Sequence, residues 1–169
     1  MKILVAGFGN LLQRDDGFGV LLGRRLQECE LPSGVQIIDV GIGGISMVQE
    51  LMSPFDALVV LDAIEGETPG HVRVMEVTPS LELPTQSAID RFADIHYAEP
   101  GRAIALASEM GVLPKQVYLV GCIPVSTELG DTLSACVEKS LEPAVKIVMK
   151  LLENIISGET EDVATLKRG

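Results

Sequence analysis

Uninterrupted apolar runs that alternate with helical patterns constrain the fold of this chain more than any other feature. The clearest run covers residues 57–61 and ends at Asp62. A strand with one solvent-exposed face would alternate apolar and polar residues, so a continuous apolar run predicts a strand covered on both faces. Similar strand-like runs occur at 2–6, 35–40 and 116–120, with helical periodicity at 17–31 and 43–52. This pattern predicts an α/β three-layer sandwich, a twisted and mostly parallel sheet with helices on both faces.

The rest of the chain predicts one more strand, a long helical segment and one irregular segment. Residues 71–77 alternate imperfectly, which favours an edge strand or a strand buried on one face. Residues 133–156 are amphipathic, and Pro143 should kink or split a helix there because proline cannot donate a backbone hydrogen bond. Residues 79–97 contain Pro84 and lack periodicity, so we expect a loop over the open end of the sheet.

Length and charge narrow the class of protein. With 169 residues, the chain should form a single domain over 1–157, followed by a polar tail at 158–169. The net charge of −11 argues against nucleic acid as a partner, because phosphate binding needs a basic surface. No apolar run approaches the ~18–20 residues of a membrane span, and the first residues lack a signal-peptide pattern, so we predict a cytoplasmic protein without a membrane partner.

The three cysteines, Cys29, Cys122 and Cys136, are widely spaced and form no CxxC pair. This spacing predicts neither a disulfide framework nor a zinc knuckle, and buried thiols are the simpler interpretation. Cys122 follows a predicted strand, so a nucleophilic thiol with His96 as its base is an alternative. The chain has no GxSxG motif for a serine nucleophile.

Polar residues follow several of the predicted strands at the carboxyl edge of the sheet, where α/β proteins bind ligands. Asp16 stands at the predicted start of a helix, Asp62 ends an apolar strand and His96 lies in the irregular segment. Asp16 alone could be a helix cap. Asp62 is costly to bury unless it is paired, hydrogen-bonded or bound to a metal. Two carboxylates and an imidazole with open positions suit a divalent ion such as nickel or zinc. His71, the other histidine, opens a predicted strand and is a weaker candidate than His96 for the third ligand.

A dinucleotide site is a further alternative at the same edge. Gly7 and Gly9 follow the first strand, and Asp39 ends the second. The GxGxxG fingerprint needs a small residue at its third glycine position, which here is Leu12. Two carboxylates, at Asp15 and Asp16, would also crowd a pyrophosphate.

Residues 3–19, ILVAGFGNLLQRDDGFG, resemble the opening signature of the hydrogenase maturation proteases. These endopeptidases trim the C-terminal extension from the large subunit of nickel–iron hydrogenases. Later segments are similar to further family blocks, with Ile42 where a threonine is usual and Ile123 where an acid is common. These segments are 39–44, 60–63 with 69–70, 96–111, and 121–134.

The resemblance covers about residues 1–155 and implies a parallel-dominated sheet between helices. By motif position, the family's metal-contacting acid is Asp16, its second acid is Asp62 and its histidine is His96. These are the three residues that the sheet edge also singles out. The resemblance further implies a precursor that already carries nickel, so that the metal is a recognition element and the protease needs no cofactor of its own. The alternative is a nickel or zinc ion held at the site itself.

We therefore predict an endopeptidase that removes the C-terminal extension of a nickel-loaded hydrogenase large-subunit precursor. Asp16, Asp62 and His96 would contact the metal, and the attacking water would be activated either by the metal or by one of the two carboxylates. A non-catalytic nickel or zinc metallochaperone or sensor would use the same three residues. A nucleotide-binding regulatory domain at Gly7 and Gly9 is the third hypothesis.

Overall fold

The computed structural model describes residues 1–77 and 99–158, and in them five strands form one sheet. The most apolar runs form central strands, because their side chains can be buried on both faces of a sheet. The strands are β1 (Ile3–Phe8), β2 (Val35–Gly41), β3 (Ala57–Ala63), β4 (Val72–Glu76) and β5 (Gln116–Cys122). The helices are a 3₁₀-helix (Arg14–Gly17), α1 (Phe18–Gln27), α2 (Ile45–Glu50), α3 (Glu99–Glu109), α4 (Ala135–Lys139) and α5 (Leu141–Ser157).

The sheet has the strand order β2-β1-β3-β5-β4. All pairs are parallel except β4 with β5, which is antiparallel. Every residue of β1, and all but the last of β3, is buried. Because β1, β2, β3 and β5 run parallel to one another, their carboxyl ends meet at one edge of the sheet, which we call the carboxyl edge.

Two apolar cores confirm the three-layer architecture. Alternate residues of β1 and β3, including Val5 and Val59, pack with α1, α4 and α5 on one face. The intervening residues, including Ala6 and Val60, pack with α2 and α3 on the other. The period of two along each strand thus sends neighbouring side chains into different cores.

Several predicted elements are confirmed, and their limits have local causes. The edge strand at 71–77 is β4, and the helical segment at 133–156 is split at Ser140, before Pro143, into α4 and α5. The helix predicted at 43–52 begins only at Ile45 because the two glycines before it have positive φ. The helix predicted at 17–31 ends at Gln27.

Other expectations were wrong or fall outside the described residues. Helix α3 was not predicted. The expectation of buried thiols holds for Cys122, whereas Cys29 is half-buried and Cys136 is exposed. The loop predicted at 79–97 and the tail beyond residue 158 lie outside the described residues. In the part of the chain that the structure describes, no helix has the length and apolarity to cross a membrane.

Candidate active site

The loop after β1 folds back on itself and carries Asp16 to the carboxyl edge. Gly9 has a φ of 124°, and a Cβ at this position would overlap the carbonyl oxygen of Asp16. Only glycine permits this close return of the backbone. The 3₁₀-helix that follows holds Asp16 in place just before α1 begins.

Asp16 is half-buried, and its carboxylate is bonded to the loop rather than to the helix. Its Oδ2 accepts a hydrogen bond from the backbone N–H of Asn10 at 2.7 Å. The residue before α1 is Gly17, and no side chain caps the helix. The interpretation of Asp16 as a helix cap is therefore wrong. The bond from Asn10 restrains the carboxylate through Oδ2, and no residue within 1–77 and 99–158 donates a hydrogen bond to Oδ1.

Asp62 lies near the end of β3, where it pairs in register with Gly121 of β5. It is 8% exposed. The start of α1 packs directly on this strand end, since a Cβ on Gly19 would overlap the carbonyl oxygen of Leu61. Asp16, three residues before Gly19, and Asp62, one residue after Leu61, therefore occupy the same edge.

The third predicted ligand, His96, lies outside the described residues, so its convergence with Asp16 and Asp62 stays a prediction. Within residues 1–77 and 99–158, no three His, Cys, Asp or Glu side chains are grouped to hold a metal ion. The two aspartates offer carboxylate oxygens, which suit a divalent cation, but a third donor must come from elsewhere. His71 is exposed and immediately precedes β4, as the sequence suggested.

Asp15 is a site residue that the sequence analysis did not identify. It is fully buried, and its carboxylate accepts backbone N–H bonds from Val125 (2.8 Å), Ser126 (3.1 Å) and Ser134 (2.6 Å). Burial by itself raises the pKa of Asp15, but these hydrogen bonds outweigh it and hold the pKa below its ordinary value. Asp15 thus ties the loop after β5 to the 3₁₀-helix that carries Asp16.

The two alternative sites find no support in these contacts. Burial raises the pKa of the Cys122 thiol to about 11, so the thiol is protonated at neutral pH and is a poor nucleophile. Asp39, the acid of the alternative dinucleotide site, forms an ion pair with Arg24 at 2.8 Å. The residue in the third glycine position, Leu12, is exposed in the loop.

A family model described as hydrogenase maturation protease (HycI) matches residues 20–151. The chain belongs to the hydrogenase maturation protease family. The expression/formation protein HupM of Azotobacter chroococcum is 36% identical over 154 residues, which cover 89% of this chain and 71% of that protein. The hydrogenase 2 maturation protease of Escherichia coli is 32% identical, over 90% of this chain and 91% of its own length.

Solved structures of this protease family share the fold. The maturating endopeptidase HybD from Escherichia coli superposes with a TM-score of 0.73 at 28% identity, over 91% of this chain and 93% of HybD. The HycI protease from Thermococcus kodakarensis KOD1 gives a TM-score of 0.70 at 26% identity, over 90% of this chain and 93% of that one. The resemblance seen in the sequence is confirmed, and this maturation protease is an endopeptidase.

Proposed function

We propose that this protease removes the C-terminal extension of a hydrogenase large-subunit precursor that already carries nickel, and that the bound nickel is the recognition element. Family membership supports the protease activity. The observation that carries the recognition step is the pair of aspartates at one edge of the sheet. Asp16 is oriented by Asn10, and Asp62 is buried at the strand end.

The orientation of Asp16 suits contact with a metal ion borne by the substrate. Its Oδ2 is engaged by the backbone N–H of Asn10, which restrains the carboxylate at the carboxyl edge. An outer hydrogen bond of this kind is how proteins orient metal-contacting carboxylates. A precursor without nickel lacks the ligand that these residues recognise, so selection of loaded precursor follows directly.

Nickel held by the precursor would supply Lewis acidity near the scissile carbonyl. The part played by the protease is to bind the loaded segment, orient it and accept a proton. Asp16 and Asp62 are the two candidate bases, because an ionised carboxylate can take the proton of an attacking water. Removing one carboxylate should therefore lower the rate far more than it changes stability.

Mass spectrometry of a nickel-loaded precursor, with and without the protease, tests this proposal. Asp16→Asn, Asp62→Asn and His96→Ala should each slow trimming by about 100-fold or more. Glu153→Gln is the matched control, since it removes an exposed carboxylate on α5 and should trim at the wild-type rate. Circular dichroism establishes that each variant is folded.

Two results would contradict the proposal. One is full trimming by Asp16→Asn, and the other is trimming of a nickel-free precursor at the same rate as the loaded one. A metallochaperone would give a different result, namely tight binding of nickel or zinc by the isolated protein with no cleavage of any precursor.

A further inference from the structure

Three aliphatic side chains are exposed to solvent near Asp16, on two loops that are hydrogen-bonded to each other. Leu12 follows β1 and is 67% exposed, whereas Val125 and Leu129 follow β5 and are 55% and 85% exposed. Single exposed apolar residues are ordinary on protein surfaces. A group of them next to a candidate active site is typical of a surface that binds a partner.

Backbone hydrogen bonds join the loop that carries Leu12 to the loop that carries Leu129. The N–H of Gly130 donates to the carbonyl oxygen of Leu12, and the N–H of Arg14 donates to that of Gly130, both at 2.9 Å. These bonds form a parallel bridge between Gln13 and Gly130. Because the Gly130 N–H and the Leu12 carbonyl are bonded directly, the backbones of Leu12 and Leu129 are adjacent, and both side chains are exposed. We call Leu12 and Leu129 the leucine pair.

The loop that carries Leu129 is fixed in place before any ligand binds. The buried carboxylate of Asp15 accepts the backbone N–H groups of Val125 and Ser126 at one end of this loop and of Ser134 at the other. A surface held in its binding conformation loses less entropy when a partner binds. The leucine pair is therefore an exposed surface on a preorganised loop.

The charges around the leucine pair are mainly negative. Glu128 and Asp131 are exposed on either side of Leu129, and Asp16 lies on the loop bonded to it. Arg14, whose side-chain stem lies against Gly130, adds one positive charge. On these two described loops, three carboxylates against one guanidinium give an acidic patch, which favours a basic partner.

We propose that the leucine pair and its acidic surroundings bind an extended segment of the precursor that carries aliphatic side chains next to a lysine or arginine. This inference rests on the proposed function and adds a second contact to it. The metal selects the loaded precursor, and the leucine pair holds the polypeptide beside the carboxylates.

Steady-state trimming of the nickel-loaded precursor tests the aliphatic contact. Leu12→Ser combined with Leu129→Ser should raise KM about tenfold, because it removes apolar contact made in both the bound and the transition state. Met52→Ser is the matched control. Met52 is also 67% exposed, but it follows α2 at the opposite edge of the sheet, so its KM should equal the wild-type value. Leu129→Ser alone replaces the double variant if the latter melts early.

The basic component of the partner is tested by salt. Added NaCl should raise KM for the wild type, since it screens attraction between exposed charges. Glu128→Gln with Asp131→Asn should raise KM at low salt and flatten this dependence. A KM that responds to neither salt nor this double variant would overturn the basic part of the inference.

The failure of this inference can be told apart from the failure of the proposed function. If the wild type leaves the loaded precursor uncut, the proposed function fails. If the wild type trims the precursor and the leucine variant has the same KM as Met52→Ser, the docking surface is refuted and the proposed function stands.

Discussion

Asp15 and Asp16 are adjacent acids with different roles. Asp15 is buried and bonded to the loop after β5, whereas Asp16 is half-buried and accepts its one described hydrogen bond from Asn10, in its own loop. The partners of Asp15 lie 110 to 119 residues later in the chain. No local pattern reveals such contacts, so the sequence could identify an acidic pair but could not assign the structural role to Asp15.

Asp15→Asn should lower the free energy of unfolding at neutral pH by about 2–3 kcal/mol, because the amide leaves buried N–H groups poorly satisfied. The effect should depend on pH. The pKa of Asp15 in the folded protein is below its ordinary value of 3.8, so its stabilisation is fully present above that value. It is lost as the pH falls through the lower, folded-state pKa, and the gap between wild type and variant should narrow there.

Urea unfolding followed by circular dichroism, from pH 7 down to pH 3, measures this gap. Asp131→Asn is the control, because Asp131 is an exposed acid in the loop that Asp15 anchors. A gap between wild type and Asp15→Asn that stays constant over the whole range would contradict the assigned role.

At the scale of elements, α1 depends on one glycine to reach the strand ends. A Cβ on Gly19 would overlap the carbonyl oxygens of Leu61 and Phe8, which are backbone atoms and cannot swing aside. One turn later, a Cβ on Gly23 would meet only side-chain atoms, at 3.7 Å and 3.9 Å. The two positions share a helix and differ in the space around them.

Gly19→Ala should therefore destabilise the protein by about 1–3 kcal/mol, through overpacking against the sheet. Gly23→Ala should be neutral or stabilising by up to about 1 kcal/mol, since alanine favours a helix. Chemical denaturation of both variants measures the difference. Equal stabilities would show that α1 does not rest on the strand ends as described.

The apolar runs predicted β1 and β3 well, because a strand buried on both faces leaves a continuous apolar pattern in the sequence. The run at 35–40 also predicted β2, although β2 is an edge strand with only partly buried or exposed residues. The direction of β4 could not be predicted, since antiparallel and parallel edge strands have the same periodicity. Helix α3 was missed because Pro100 and Gly101 suggest a break. A proline is tolerated in the first turn of a helix, and the buried residues Ala103, Ile104 and Ala107 have helical spacing.

For the whole molecule, the two faces of the sheet are covered unequally. One face is covered by α1, α4 and α5, and the other by α2 and α3. The sequence could predict this layering but not which helix covers which face, because that depends on crossover connections. The cytoplasmic location and the lack of a nucleic-acid partner stay predictions from composition.

The predicted domain boundary near residue 157 can be tested by truncation. Helix α5 ends with Gly158 in the left-handed conformation, where its N–H donates to the carbonyl oxygen of Asn154 and closes the last turn. A chain that ends at residue 158 should therefore unfold at the same urea concentration as the full chain.

A chain that ends at residue 150 should lose cooperative unfolding, because this truncation also removes Leu151, Leu152 and Ile155 from the core. Their burial contributes about 2 kcal/mol each, which approaches the whole stability of a small domain. Loss of stability in the chain that ends at residue 158 would place part of the domain beyond that residue.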